Sequence, residues 1–407
     1  MSERTERDKT AQRTEPAEGH ESTPSQLSVS FRTERDVSGA GVRLRPYRPE
    51  DAEALAEGFD DPLCRRFLPS LPAPFTVAHA ERFIAERVAA IFAEGGASYA
   101  IADPDTDELI GGAGFDNVTS RGQAEVGYWT APSARRRGVA TAALRALSTH
   151  ALGHGLERLE LLTHWDNPAS QRVALAAGYQ REGVRRGALP GGDGSRTDMV
   201  AFARLADDPG DPVPRRLPDL PGGELTDGVV RLRPLGPDDA DFSTALHSLP
   251  ESVATSVPPV APTADQIRRR CGRAEAQWLA GDRADLVITE AATGTPAGEI
   301  GLFYQEPMTG QAMIGYSMLP AFRGRGFATR AAQLVTLWAF AETDIARIIA
   351  GALPTNVASH RVLEKAGFQR EAYLRSRLPG PDGTRTDDVQ FALLAEDLLR
   401  EGPRLDG

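Results

Sequence analysis

Apolar positions along the chain follow two periods, and the two periods succeed one another in the same order in the first and second halves. Val42 to Pro46 alternates aliphatic and arginine residues, the period of a strand, and Pro49-Glu50-Asp51 then opens a helix with acids in its first turn. Glu81 to Ala93 carries Phe83, Ile84, Val88, Ile91 and Phe92 at helical spacing. Ser98 to Ala102 and Leu109 to Phe115 predict a strand pair across an Asp-Pro-Asp-Thr-Asp turn. Ala124 to Thr130 has aromatic and β-branched strand content, and Pro132 ends it because proline cannot donate to a ladder. From Ala140 a helix follows, with Leu144, Leu147, Ala151 and Leu152 as its apolar stripe. Arg158 to Thr163 predicts another strand, and from Asn167 a helix runs through Val173 and Leu175 to a stop at Gly178. Pro62 to Phe75 is dense in proline and without period, which predicts a loop.

The second half copies this order. Val42-Arg43-Leu44-Arg45-Pro46 recurs as Val230-Arg231-Leu232-Arg233-Pro234, 188 residues later. Gly127-Tyr128, Pro132 and Arg135 recur at the same offset as Gly315-Tyr316, Pro320 and Arg323. Asn167, Ala177-Gly178 and Arg196-Thr197-Asp198 recur 189 residues later as Asn356, Ala366-Gly367 and Arg385-Thr386-Asp387. Leu286 to Ala291, Ala297 to Phe303, Arg347 to Ala352 and Asn356 to Gly367 are the matching strands and helix, and Val257 to Pro262 is the matching loop. The chain is a duplicated α/β domain, with an α+β mixed sheet expected in each copy. The expected division is a disordered tail over 1–39, poor in aliphatic residues, one domain over 40–206, a Pro/Gly-rich linker over 207–226 and a second domain over 227–400.

Between strand and helix, each copy carries a basic, glycine-bearing turn: Arg135-Arg136-Arg137-Gly138-Val139-Ala140 and Arg323-Gly324-Arg325-Gly326-Phe327-Ala328. The first amides of a helix lack partners and carry the positive end of its dipole, so a glycine there lets a phosphate approach the backbone. Arginines add charge-assisted contacts. The turn reads as a pyrophosphate cradle.

Arg-x-x-Gly-x-Ala after a strand, followed by Asn-x-x-Ser and Ala-Gly-aromatic, resembles the coenzyme A site of the GNAT superfamily of N-acetyltransferases, twice over. VRLRP with Pro-Glu-Asp or Pro-Asp-Asp, Asn-x-x-Ser-x-Arg-Val and the closing Asp-Gly-x-Arg-Thr-Asp strand resemble its RimJ/RimL ribosomal-protein branch. The resemblance implies two tandem GNAT domains that use acetyl-CoA as co-substrate and no metal. It implies that the cradle residues hold the diphosphate, and that Tyr128, Trp129 and Thr130, with Ser317, Met318 and Leu319, offer backbone groups to the pantetheine and the thioester oxygen. It places Asn167 and Ser170, with Asn356 and Ser359, beside the sulfur, although Asn and Ser at that spacing also serve as a simple helix cap. The tyrosine common seven residues after the Asn is here Ala174 and Leu363, which leaves Ser170 and Ser359 as candidates to protonate the thiolate.

Glu125, two residues before Gly127, is a candidate general base acting through water, with solvated strand glutamate as the alternative; its counterpart is Met313. His164 reads as a surface residue and Trp129 as packing. Cys64 and Cys271 have neither disulfide nor metal spacing. A net charge of −11 argues against nucleic acid as the main partner, and no long apolar run predicts a membrane segment, so a cytoplasmic protein is expected. The function expected is transfer of acetyl directly to a primary amine, a protein N-terminal α-amine being favoured because the halves lack a matched strong base. A small amine acceptor, and a non-catalytic acyl-CoA sensor or scaffold in one or both halves, stay open.

Overall fold

The computed structural model describes residue 31 and residues 36–39, 41–190 and 194–401. The Val42–Arg45 alternation forms a strand whose Val42 and Leu44 enter the first core. Arg45 departs from the pattern: it is buried, and its guanidinium binds the Asp51 carboxylate through two bonds of 2.7 and 2.8 Å. That fork ties the strand to the start of the first helix, since a buried charge is tolerated only when paired.

The first repeat runs β1 (Val37–Gly39), β2 (Val42–Arg45), α1 (Ala52–Asp60), α2 (Pro62–Phe67), α3 (Val77–Arg82), a π-helical stretch Phe83–Arg87, α4 (Val88–Ala93), β3 (Ala97–Ala102), β4 (Leu109–Asp116), β5 (Gln123–Thr130), α5 (Val139–Gly153), β6 (Arg158–His164), α6 (Pro168–Ala176), β7 (Gln180–Pro190) and β8 (Arg196–Leu205). The second runs β9 (Leu225–Thr226), β10 (Val230–Pro234), α7 (Ala240–His247), α8 (Pro250–Thr255), α9 (Ala264–Leu279), β11 (Arg283–Glu290), β12 (Pro296–Glu306), β13 (Gln311–Met318), α10 (Phe327–Glu342), β14 (Arg347–Ala352), α11 (Val357–Lys365), β15 (Gln369–Pro379), β16 (Arg385–Leu394) and α12 (Ala395–Glu401). Each repeat folds into its own eight-stranded mixed sheet, ordered β1-β2-β3-β4-β5-β6-β8-β7 and β9-β10-β11-β12-β13-β14-β16-β15. α5 and α10 pack on one face of their sheets, and α1 with α3, or α7 with α9, lie on the other.

One parallel pair in each sheet positions the site. β5 and β6 pair only over Gln123–Glu125 and Arg158–Glu160, and β13 and β14 only over Gln311–Met313 and Arg347–Ile349. Beyond Glu125 and Met313 the two strands of each parallel pair no longer pair with one another, so a fork opens at Val126 and at Ile314.

Four expectations differ from the structure. Pro62–Phe67 is a helix, because the Asp61 carboxylate accepts from the amides of Leu63 and Cys64 and proline fits the first turn. The helix expected from Glu81 starts at Val77, where Thr76 caps the His79 amide. Within the expected tail, Val37–Gly39 pairs with β2, and Phe31 packs edge-on to Phe115 at 4.8 Å, so a few apolar side chains anchor its end while the rest of that call lies outside the described residues. The stretch read as a linker buries Leu217 and Leu220 in the second core, where Trp278 Nε1 donates to the Leu217 and Pro218 carbonyls, and Leu225–Thr226 pairs with β10.

The two repeats also touch. α9 packs on α6, Leu279 joins the first core, and Arg273 lies over the Trp165 ring at 5.5 Å.

Candidate active site

Gly138 and Gly326 cap α5 and α10 in nearly the same conformation, φ 79° and 80° with ψ −2°, and nothing lies within 4 Å of where a Cβ would stand. Neither cap gives the first helical amides a side-chain partner, the arrangement that suits an anion at a helix start. Two residues earlier the turn visits the same region again, at Gly324 (φ 73°) and at Arg136 (φ 61°).

The cradle arginines are pre-paired. Arg135 binds Asp61 and reaches the Cys64 thiol at 3.8 Å, while Arg137 lies 3.8 Å from Asp103. Arg323 reaches Glu251 at 3.2 Å and donates from Nε to the Met318 carbonyl, and Arg325 pairs with Glu290 and lies over the rings of Phe322 and Phe327. Each carboxylate holds its arginine beside the turn.

In the second repeat the turn opens on a cavity of about 470 Å³. Of the cradle, Arg323, Gly324, Gly326, Phe327 and Ala328 line it; of the strand, Tyr316, Ser317 and Met318; of the following helix, Asn356, Ser359 and Arg361. Ser252 and Thr255 of α8 close the opposite side. Leu319 and Arg325 are not among its walls: the Leu319 amide is spent on the Ala297 carbonyl and Arg325 is turned to Glu290. In the first repeat a cavity of about 290 Å³ flanks Arg137, Gly138 and Val139, walled by Asp103 and Asp105.

Ser170 and Ser359 lie at the fork, and each meets a tyrosine. The hydroxyls of Tyr128 and Ser170 share a hydrogen bond of 2.8 Å, as do those of Tyr316 and Ser359. Burial raises both phenols, Tyr316 to about 12, so they stay protonated. Asn167 and Asn356 are helix caps, their side-chain oxygens accepting from the Ser170 and Ser359 amides at 3.2 and 3.1 Å, which holds each serine in place. The tyrosine side chains were missed as partners of the serines, although the repeated Gly-Tyr pair was a signal that could have found them.

Glu125 stands at the mouth of the first fork, on the face opposite Ala124 and Val126, with Asp116 and Glu160 as its neighbours on either strand. Burial, then the charges of Asp116 and Glu160, raise its carboxyl above the ordinary range, against the opposing effects of Asn117 and Arg185. It is therefore not a merely solvated glutamate. His164 is half-buried against Phe67 at 5.5 Å, and burial lowers its imidazole, so it is not the surface residue expected. Trp129 packs among Gly58, Phe59 and Phe75, and Thr130 pairs with Gly111.

Arg172 and Arg361 occupy the same place in their repeats and have different partners. Arg361 lines the second cavity, whereas Arg172 binds Asp219 at 2.9 Å and Glu275 of α9 at 2.7 Å.

The family model described as Acetyltransferase (GNAT) domain matches residues 42–180 and again 230–369. Among curated proteins, the chain is similar to Probable N-acetyltransferase YjcK of Bacillus subtilis (strain 168), 42% identical over 21% of this chain and 47% of that protein. The chain thus spans about half the length of that relative. Uncharacterized N-acetyltransferase YoaA of the same organism is 32% identical over 35% of this chain and 81% of its own length. Ribosomal-protein-serine acetyltransferase of Escherichia coli (strain K12) is 36% identical over 25% of this chain and 57% of its own. With the forked sheet, the left-handed glycine turn and the family match each present twice, the chain belongs to the GNAT acetyltransferase family.

Proposed function

We propose that the chain is an acetyl-CoA-dependent N-acetyltransferase that carries acetyl from the thioester directly to the α-amine of a protein or peptide N-terminus. The observation that carries this reading is the hydroxyl pair at each fork, Tyr128–Ser170 and Tyr316–Ser359, set in the same repeat as an open left-handed glycine turn. The amides at Gly138 to Ala140 and at Gly326 to Ala328, with Arg136 and with Arg135, Arg137, Arg323 and Arg325 released from their carboxylates, would bind the diphosphate. Tyr128 to Thr130 and Ser317 to Met318 would border the pantetheine. Ser170 and Ser359, backed by their tyrosines and fixed by Asn167 and Asn356, would return a proton to the departing thiolate. Donors aimed at the developing charge contribute about 3 to 4 kcal/mol in acyl transfer.

The α-amine is favoured by its chemistry. Its reference pKa of about 7.7 to 8.0, against about 10.4 for lysine, makes it roughly 300-fold richer in the nucleophilic form at neutral pH. The raised carboxyl makes Glu125 a better base than a solvated glutamate, which suits an amine that needs only modest help in losing its proton. The name of the Escherichia coli relative, a ribosomal-protein-serine acetyltransferase, supports a protein acceptor. The test is kcat/KM with acetyl-CoA and matched peptides, one with a free N-terminus and one N-terminally blocked with a single lysine. Preference for the free N-terminus is expected; preference for the lysine peptide would sink the α-amine assignment.

A further inference from the structure

Along α11 the residues Ala358, Arg361, Val362 and Lys365 follow helical spacing on one face, and all four line the 470 Å³ cavity of the second repeat. Arg361 and Lys365 lie four positions apart, one turn of helix, so their cationic ends reach the same stretch of wall. Both are exposed, and neither side chain forms a hydrogen bond or ion pair among the described residues. Other cations around the cradle are committed: Arg323 to Glu251, Arg325 to Glu290 and Arg330 to Asp227. Of the 46 lysines and arginines in the chain only Lys9 and Lys365 are lysine, so Lys365 is the one ammonium among the described side chains. It is a compact point charge, of the kind that serves a phosphate.

The matching face of the first repeat offers no such pair. Arg172, the counterpart of Arg361, gives all three of its nitrogens to carboxylates: Nη1 and Nη2 bind Asp219 at 2.9 and 3.0 Å, and Nε binds Glu275 of α9 at 2.7 Å. Both carboxylates come from beyond the first repeat. Ala176 stands where Lys365 stands 189 residues later. Arg145, the counterpart of Gln333, donates to the Ala176 carbonyl at 3.0 and 2.7 Å, whereas Gln333 donates to the Lys365 carbonyl at 3.3 Å. The arginine that could have replaced the lysine thus closes the end of α6 instead.

We infer that Arg361 and Lys365 form a second anion subsite in the second repeat, for the phosphate monoester on the ribose of coenzyme A, and that the first repeat lacks it. This rests on the proposed reading of Gly326 to Ala328 as the diphosphate site. A diphosphate at that turn has two neighbours within the ligand, the pantetheine arm and the adenosine. The cavity offers a place for each: Ser317 and Ser359 at the fork, and Arg361 with Lys365 along α11. At a rise of about 1.5 Å per residue, Lys365 stands about 9 Å along the helix axis from Ser359. With the arm in the fork, the nucleotide is left to the lysine end, where its monoester meets two cations that have no other partner. The two repeats therefore differ in the coenzyme that they distinguish. The second selects the form phosphorylated on the ribose, and the first takes that form and the dephospho form alike.

Calorimetry on the full chain tests this, with coenzyme A and dephospho-coenzyme A as the two probes. Gly138→Glu leaves the second cradle to be measured, and Gly326→Glu leaves the first. In the Gly138→Glu chain, dephospho-coenzyme A is expected to bind about 10- to 100-fold more weakly than coenzyme A, the range of hydrogen bonds to charged groups. In the Gly326→Glu chain the two bind alike. Arg361→Gln with Lys365→Gln, both at exposed positions, is added to the Gly138→Glu chain. It weakens coenzyme A to the level of the dephospho form and leaves the dephospho form unchanged, which a merely structural role would not do. Equal affinity for the two coenzymes in the Gly138→Glu chain, or discrimination that survives the double glutamine change, overturns the subsite and leaves the cradle reading standing. Discrimination of the same size in the Gly326→Glu chain overturns the difference between the repeats. Failure of both chains to bind either coenzyme overturns the reading of the turns, and this inference with it.

Discussion

Tyr128, from the strand at the first fork, meets Ser170, from the helix beyond it, hydroxyl to hydroxyl at 2.8 Å, and also approaches the Ser170 carbonyl at 3.3 Å. The phenol holds the serine hydroxyl and, on the proposed function, stands behind it as a proton source. Tyr128→Phe combined with Tyr316→Phe is expected to lower kcat by about 10- to 100-fold with little change in KM, the pattern of an interaction made in the transition state. Steady-state kinetics check this; a change confined to KM would assign the tyrosines to binding.

Binding at the two turns is separable by substitution. Gly138→Glu and Gly326→Glu each introduce a side chain at a left-handed position, at a cost of roughly 1 to 2 kcal/mol, and direct a carboxylate into the open space at the proposed phosphate site. Each is expected to remove one binding event in calorimetry with coenzyme A while the chain stays folded. Two events in the folded double variant would exclude the turns as the phosphate site.

Arg136 holds the left-handed conformation that Gly324 holds in the other repeat. Arg136→Gly is expected to stabilise the chain by about 0.5 to 1 kcal/mol, the relief of strain less the entropy that glycine adds to the unfolded chain. Chemical denaturation is the check, and a lower midpoint would contradict it.

Glu125 and Glu299 respond to pH in opposite directions. The raised Glu125 carboxyl favours folding when protonated and costs stability once ionised between Asp116 and Glu160. Glu125→Gln is therefore expected to raise the melting temperature at pH 7 and to gain less at pH 4. Burial alone would raise Glu299, but the His247 hydrogen bond and the Arg270 charge outweigh it and push the carboxyl down to about 2. Its stabilisation is complete above its ordinary pKa near 4.5 and is lost as pH falls toward about 2. Glu299→Gln is expected to cost about 3 kcal/mol at pH 7, because it removes one member of a buried network. Melting curves of both variants at pH 7 and pH 4 decide these signs.

What could be read from the residues alone divides along physical lines. Strand β2, the glycine turns and the Asn-capped helices were legible because each rests on neighbours in sequence and occurs twice. The Pro62–Phe67 helix was not, since six residues are too few to show a period and its warrant is the Asp61 cap. The Glu299 cluster was invisible because it gathers partners 29 to 52 positions apart, and no local pattern encodes such a meeting. Arg172 and Arg361 show the same limit from the other side: identical motif positions, one bound by Asp219 and Glu275 and the other lining a cavity.

Leu279 belongs by sequence to the second repeat and by packing to the first, at the end of the helix whose Glu275 holds Arg172. The duplication has therefore been followed by mutual dependence. Splitting the chain between the repeats would leave the first fragment with a vacated apolar notch and a released arginine, and the second with an orphaned helix end. The helix α9 carries both the Arg270 that binds Glu299 and the Glu275 that binds Arg172 of α6, so one helix serves both repeats. The chain is inherited as two copies and must be engineered as one.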